Sequence, residues 1–444
     1  MRADICVIGG GPAGAVAAWK LARLGHAVLL IERAAFPRPH VGEALSPGVW
    51  PQLDLLGLTD DICAAGFRPT QTAIVRWSGP PETVKHADPP GLMVDRGRFD
   101  RLLLDHARKA GAQVLQPALA LKPRQASGDG WIVPIRTPEG GREICARFLI
   151  DASGRSARLG GRRQRTGPRT LTLYGTWKRH SGWGEETRTE AGADGWLWAA
   201  ARPDGTLSAM VFLDAERYRV ERSAGIAREE LYRDLLARSD LLAETPHAQL
   251  TGDVGICDAT CWHAAEPVGD DFLKIGEAAY TLDPLSSTGV QKAMQTAWTG
   301  AIAVHTILTK PENAAAARRF YAESHHTTVA RHTTWAAKLY AEARTDGKAL
   351  FFPPAPPPTR EGSPSPTLGR WLRLSPEAAL VETPCVNGDL IETRRALIHP
   401  SLERPVAFLD GVEIAPLLDE LAAGTTLDGL LAAWLVRHGV LEMA

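Results

Sequence analysis

Val7-Ile8-Gly9-Gly10-Gly11-Pro12-Ala13-Gly14 sits behind a short apolar run, Ile5 to Ile8. It leads directly into AVAAWKLARLG, residues 15–25, whose apolar positions recur at helical spacing. A second apolar run, Val28 to Ile31, ends at Glu32. Strand, glycine turn, helix, strand and acid thus fall within one βαβ length, an order that predicts an α/β fold with a parallel sheet. Each glycine of Gly9-x-Gly11-x-x-Gly14 has a separate duty. Gly9 permits the tight turn, Gly11 lets the backbone approach a pyrophosphate, and Gly14 lets helix pack on strand. The helix N-terminus, with Pro12 and Ala13 in its first turn, offers free N–H groups and the positive end of its dipole to phosphates. Glu32, followed by Arg33, is placed to accept hydrogen bonds from an adenosine ribose. The alternative is a glycine turn with no ligand, and the complete context argues for the dinucleotide.

The chain has 444 residues, enough for two or three domains. A formal net charge of −1 points neither to nucleic acid nor to an anionic membrane as the main partner. Six cysteines without a paired framework fit a reducing compartment. Cys257 and Cys261, the nearest pair, lack the partner ligands of a zinc site, so no metal is expected. The first strand begins within a few residues of Met1, leaving no room for a signal peptide, and no apolar run is long enough to span a bilayer. A cytoplasmic location is expected. The thirteen tryptophans decide little, since scattered tryptophans are usually core.

The prolines of residues 33–48 exclude a regular helix across most of that segment. Val41-Gly42-Glu43 within it is either a plain surface loop or one folded against a ligand. Gly48 to Leu58 reads as helix and Ala73 to Trp77 as strand. Arg96, Phe99 and Leu102 to Leu104 open an amphipathic helix ending at Gly111, with Arg96 either solvated or turned to phosphates. Residues 114–150 alternate apolar and polar positions around glycine-rich turns and read as a β-meander. The meander closes in a buried strand, Phe148 to Ile150, and a small-residue turn, Asp151 to Ser156. Ligands bind at such carboxyl ends of parallel strands.

Residues 165–265 change character: Thr170 to Trp177, Gly195 to Ala200 and Leu207 to Leu213 read as an antiparallel sheet, interrupted by one helix, Ala227 to Arg238. Trp177, Trp183, Trp196 and Trp198 on one sheet face are core or line a pocket for a flat aromatic guest. From Phe272 a buried strand runs into Gly276-Glu277, a turn at Asp283-Pro284, and a long helix opened by Gly289. Residues 312–349 read as helix, with His325, His326 and His332 solvated or capping because no carboxylate or cysteine joins them. Residues 353–367 form a semi-rigid, proline-rich linker. Beyond it lie about seventy residues with their own apolar pattern, near the lower size limit of an independent domain. Short strands at Ala379 to Glu382, Leu390 to Thr393 and Arg395 to His399, with helices at Ile414 to Leu421 and Leu427 to His438 around a Gly424-Thr425-Thr426 turn, fit a winged-helix-like α+β unit.

The glycine turn with Glu32, Arg96-x-x-Phe99-Asp100, Asp151-Ala-Ser-Gly154 and Gly276-Glu277…Asp283-Pro284…Gly289 together resemble the group A flavoprotein monooxygenase superfamily over roughly the first three-quarters of the chain. Glu277 stands where that superfamily usually has Asp. The segment from Phe36 to Glu43 and Pro284-x-x-Ser287-x-Gly289 look more narrowly like the flavin-dependent halogenases. Those enzymes carry Trp-x-Trp-x-Ile-Pro and an early catalytic lysine. Here Trp196-x-Trp198 is followed by alanines, Lys85 is the only lysine between Lys20 and Lys109, and Ser286 replaces the glutamate of tryptophan halogenases. With its distinct tail, the chain looks most similar to the tryptophan-hydroxylating monooxygenases of tryptophylquinone biogenesis, which serve quinohemoprotein amine dehydrogenase maturation.

The resemblance implies a Rossmann-like, p-hydroxybenzoate-hydroxylase-like FAD domain (1–70, 92–164 and 266–310) and an inserted antiparallel substrate sheet (71–91 and 165–265). A helical extension (311–352), the linker (353–368) and a small winged-helix-like domain (369–444) follow. FAD is expected on Gly9, Gly11, Pro12, Ala13, Gly14, Glu32, Arg33, Gly42, Glu43, Arg96, Arg98, Asp151, Gly154, Gly276, Glu277, Pro284, Thr288, Gly289 and Val290. A substrate pocket is expected around Trp177, Trp196, Trp198 and Ser286; the catalytic side chains are left open. NADH or NADPH would supply electrons and O2 the oxygen, giving hydroxylation of a tryptophan by a flavin C4a-hydroperoxide. The tail would dock the polypeptide client, a small protein subunit, by strand addition. Rival readings are a small-molecule halogenase or isoprenoid-chain reductase, and a non-catalytic flavin-bound assembly factor.

Overall fold

β1 (Arg2–Ile8), α1 (Pro12–Arg23) and β2 (Val28–Ile31) form the opening unit. The computed structural model describes residues 1–444 apart from 39, 86–87, 180–182, 346–347, 350–371, 403, 410, 423–428 and 444. α1 buries Ala15, Val16, Ala17, Ala18 and Leu21, mostly small side chains that let it lie close on the sheet. β1 pairs in parallel with β2 on one side and with the end of the long strand Gly140–Asp151 on the other, and Phe272–Lys274 extends the parallel set. In this register Ile8 lies beside both Ile31 and Asp151, and Asp151 beside Lys274. Four chain turns therefore leave the sheet along one edge, although they are far apart in sequence. That shared edge is where an open α/β sheet binds ligands.

The meander expected over 114–150 is corrected in one respect. Gln113–Leu115 pairs in parallel with β2 as the sheet edge. The remainder is a hairpin, Trp131–Thr137 against Gly140–Asp151, with Leu119–Ala120 and Arg124–Gln125 along its outer strand. Alternation marks a strand but does not choose its partner.

The second sheet has seven strands in the order Leu250–Asp258, Thr170–Lys178, Thr206–Asp214, Gly195–Ala201, Thr187–Gly192, Thr72–Arg76, Glu82–Lys85. It is mixed rather than purely antiparallel, because Thr72–Arg76 pairs in parallel with Thr187–Gly192. Two helices interrupt it, Ala215–Ser223 and Arg228–Ala237, where one was expected. The first was missed because its nine residues bury none of their side chains, so it carries no apolar stripe.

The tryptophans do not share one face. Trp177 and Trp183 pack with Leu173, Leu197, Ala199 and the helix residues Tyr232 and Leu236. Trp196 and Trp198 point the other way, with Ala200, Met210 and Phe212. A strand alternates faces every residue, so Trp196 and Trp198 share a face that Leu197 does not. Trp177, three residues after Tyr174, is on the face opposite to it. Trp177 Nε1 donates to the Tyr232 hydroxyl at 3.1 Å, and that hydroxyl donates to the Ala209 carbonyl at 2.8 Å.

Contacts divide the chain into two compact units, Met1–Ala301 with Ala322–Ala355, and Ile302–Tyr321 with Pro356–Ala444. The helix expected over 312–349 runs Ala314–Glu342, after which Arg344–Thr345 and Lys348–Ala349 pair as a short antiparallel ribbon. In the second unit the three expected short strands are two long ones. Ala379–Asn387 and Leu390–Ile398 form one antiparallel hairpin, since Thr393 and Arg394 continue the ladder opposite Pro384 and Thr383. The helices are Ile414–Ala422 and Gly429–Arg437. Leu397, Ile414, Leu418, Leu435 and Val440 form the core of this unit. The linker 353–368 and the Gly424–Thr426 turn lie outside the described residues.

Candidate functional site

The four turns at the parallel edge open into a cavity of about 620 Å³. Gly9, Gly11, Pro12, Ala13, Glu32, Arg33, Gly42, Glu43, Arg96, Gly154, Gly276, Glu277, Pro284, Gly289 and Val290 line it. The inner face of the second sheet supplies another wall, with Tyr174, Trp196, Trp198, Met210 and Phe212. The Trp196 and Phe212 rings stack there at 3.7 Å, 5° from parallel.

The three motif glycines serve different ends. Gly9 has φ +108°, and a Cβ there would meet the Ala152 carbonyl oxygen at 2.3 Å. A Cβ at Gly14 would meet the Gly9 carbonyl oxygen at 1.8 Å, so Gly14 is a packing residue and does not line the cavity. At Gly11 a Cβ would meet only Nη2 of Arg38, at 3.8 Å. Gly11 thus faces open space beside a guanidinium and the start of α1, which is the setting a pyrophosphate requires. Glu32 is buried and anchors the turn, accepting from the Gly10 N–H at 2.7 Å and the Ala34 N–H at 2.8 Å. Its remaining lone pairs are available to a ribose. Nη1 of Arg155 is buried without a hydrogen-bond partner among the described residues, although Nε lies 3.3 Å from Glu277 Oε1. The helix Gly289–Thr309 points its N-terminus at the cavity through Gly289, Val290 and Ala293. An unpartnered guanidinium nitrogen, two helix N-termini and an open glycine backbone fit FAD.

Several expected contacts take other roles. Asp151 is fully buried and accepts from the Ser153 N–H at 3.0 Å, the Ser153 hydroxyl at 2.6 Å and the Leu159 N–H at 2.8 Å, so it shapes the turn and does not reach the cavity. Arg98 faces away from the cavity: it donates to the Ala65 carbonyl at 3.0 Å and lies over the Phe67 ring. It is two residues from Arg96 on a helix, a spacing that turns the two side chains apart. Thr288 and Ser286 share a hydroxyl contact at 2.8 Å, Ser286 Oγ also donates to the Asp283 carbonyl at 3.0 Å, and neither lines the cavity. Trp177 is on the opposite sheet face, and Tyr174 holds the place expected for it.

Arg96 binds protein groups with every nitrogen. Nε and Nη2 donate to Asp100 at 3.0 and 3.2 Å, and Nη1 to the Val41 and Gly42 carbonyls at 3.1 and 3.3 Å. It therefore ties the 41–43 loop to its own helix. Arg38, which the sequence reading passed over, stacks on Phe36 and bonds Asp100 at 3.2 Å. No local pattern announced its place, since its ion-pair partner Asp100 is 62 positions away in the chain.

His332 Nε2 accepts from the Asp283 N–H at 2.9 Å, a capping role. His325 is neither solvated nor capping; it is buried against His263. Asp283 is itself a cavity residue, accepting from the Leu285 N–H at 3.0 Å and the Tyr340 hydroxyl at 3.2 Å. Burial pushes its carboxyl up to about 6. The unfolded chain titrates near 4, so folding takes up a proton between about pH 4 and pH 6. Stability from this group is therefore present below that window and is lost as pH rises through it, by about 2–3 kcal/mol. In flavin-free protein, Asp283→Asn is expected to gain that amount on the wild type between pH 4 and pH 7 in urea unfolding. A pH-independent difference would contradict the assignment.

The FAD dependent oxidoreductase family matches residues 4–166. Tryptophan 2-halogenase of Chondromyces crocatus is 30% identical over 357 residues, spanning 76% of this chain and 67% of that one. The chain belongs to the flavin-dependent halogenase and monooxygenase superfamily and is an FAD-dependent oxidoreductase. Among solved structures it is similar to the peptidyl tryptophan dihydroxylase QhpG, essential for tryptophylquinone cofactor biogenesis. That likeness is 27% identity at TM-score 0.74, over 99% of this chain and 100% of that one. The flavin-dependent halogenase CmlS shares the fold at TM-score 0.78 and 22% identity, over 99% of this chain and 96% of that one. Among the described residues no helix is long and apolar enough to cross a membrane.

Proposed function

We propose that this chain hydroxylates a tryptophan held in a polypeptide, in the biogenesis of a tryptophylquinone cofactor. The observation that carries the reading is the likeness to the peptidyl tryptophan dihydroxylase over the whole length of both chains. The aromatic wall supports it: Trp196, Phe212 and Trp198 line the cavity, and aromatic pairs with an indole ring gain beyond area burial. Each turnover would consume one O2 and one NADH or NADPH with a proton, place one oxygen atom on the ring in place of hydrogen, and release the other as water. Bound FAD supplies the oxygen-transfer chemistry. The protein would orient the indole, keep bulk water out, and hold or release a proton at the Asp283 carboxyl beside Tyr340.

The placement of the lysines favours hydroxylation over halogenation. Among the described residues that line the cavity none is a lysine. Lys85 is on an exposed strand, and Lys274 Nζ donates to the Gly160 carbonyl at 2.9 Å. A second reading, halogenation of an indole, is favoured by the named activity of the 30%-identical relative. Mass spectrometry of a tryptophan-bearing client after incubation with enzyme, NAD(P)H, air and bromide separates the two. The expected result is gain of one or two oxygen atoms, the same with and without halide. Bromine on the ring would overturn the reading.

The tail is proposed to dock the client by strand addition along the strand Ala379–Asn387. A docking tether raises local concentration without touching the reactive ring. A short peptide carrying only the target tryptophan should then keep kcat and show a KM about ten-fold higher or more than the intact client. Equal KM values, or equal turnover of free tryptophan, would remove the docking role.

A further inference from the structure

His263 lies on the strand Trp262–Ala264, and His325 and His326 on the helix Ala314–Glu342. One nitrogen from each ring falls within 4.8 Å of the other two. His263 Nδ1 and His325 Nε2 are 3.3 Å apart. The ring centres are 5.4, 6.0 and 5.2 Å apart in the three pairs. Two nitrogens at ~2.0–2.1 Å from a tetrahedral zinc are about 3.3 Å from each other, and the rings that carry them have centres about 5 Å apart. His263 and His325 thus stand at the mutual spacing of ligands around one ion, and His326 brings a third nitrogen within 4.8 Å of both.

Hydrogen bonding alone leaves the cluster incomplete. His263 Nδ1 faces the Ala264 carbonyl at 3.1 Å as well as His325. His325 is 3% exposed, and its Nδ1 has no partner among the described residues. Whichever nitrogen of His325 holds the proton, a buried polar atom is unsatisfied, which disfavours the cluster as it stands.

We infer that His263, His325 and His326 form a binding site for one divalent cation of the zinc type, clamping the helix Ala314–Glu342 to the strand Trp262–Ala264 outside the flavin cavity. All three donors are imidazole nitrogens, which suit Zn²⁺ and its neighbours and exclude the oxygen-seeking Ca²⁺ and Mg²⁺. His326 is exposed, so the fourth position opens to water. Two turns along the same helix, His332 holds the Asp283 N–H in the cavity wall. The clamp therefore braces the element that positions Asp283.

The test uses untagged full-length protein with FAD bound, stripped with chelator and titrated calorimetrically with ZnCl₂, with Co²⁺ difference spectra in parallel. One equivalent should saturate, Co²⁺ should develop tetrahedral ligand-field bands, and the melting temperature should rise. His326→Ala changes an exposed side chain and His263→Ala a buried one; each should weaken Zn²⁺ binding by about ten-fold or more with the flavin spectrum intact. Absence of saturable binding, or identical binding in wild type and His326→Ala, would overturn the site. Neither outcome depends on the substrate or on the reaction catalysed.

Discussion

Gly11→Val is expected to yield a folded protein that binds no FAD. A Cβ at position 11 meets nothing closer than the Arg38 guanidinium at 3.8 Å, and that group is the end of a flexible side chain. The polypeptide thus accommodates the substitution, and the loss falls on the ligand, whose pyrophosphate needs the space beside the backbone. Gly14→Val provides the contrast. Its Cβ would stand 1.8 Å from the Gly9 carbonyl oxygen, so helix and strand must separate and the whole domain suffers. The measurement is flavin content after purification together with the melting temperature of the flavin-free protein. For Gly11→Val the temperature should be near that of wild-type apoprotein and the flavin content near zero. Full flavin occupancy would dismiss the glycine turn as the pyrophosphate site.

Asp100→Ala is expected to cost about 3–5 kcal/mol, the usual result of removing one partner from a buried ion pair. Asp100 is 0% exposed and receives three bonds, two from Arg96 and one from Arg38. Without it, the nearly buried Arg96 guanidinium has no ion-pair partner among the described residues, and its hold on the Val41 and Gly42 carbonyls weakens. The loss should therefore appear in two readouts: a lower urea midpoint in apoprotein and a further drop in FAD affinity as the 41–43 loop loosens. Asp100→Asn keeps the shape and part of the hydrogen bonding, and should fall between wild type and Ala. A change below about 1 kcal/mol in Asp100→Ala would mean that water replaces the carboxylate at this site.

Consecutive residues were sufficient for the dinucleotide turn. Gly9, Gly11, Gly14 and Glu32 declare it because strand, turn, helix and acid are adjacent in the chain, and each has a local steric or hydrogen-bonding duty. The turns at Gly154 and Gly276 were legible for the same reason, each being a small-residue break after a buried apolar strand. Face assignment was legible in principle and was misjudged at Trp177. The two-residue period separates it from Tyr174 on its own strand, but no period within one strand tells which of the two faces a second sheet or a helix will cover. The tertiary structure decided that Tyr174, Trp196, Trp198, Met210 and Phe212 meet the glycine turns in one cavity. It also decided that Arg96 serves the loop, that Arg38 reaches Asp100, and that His263 meets His325 across 62 positions. These pairings depend on strand register and helix placement set by the whole core, and such long-range packing leaves no mark on the residues that flank each partner.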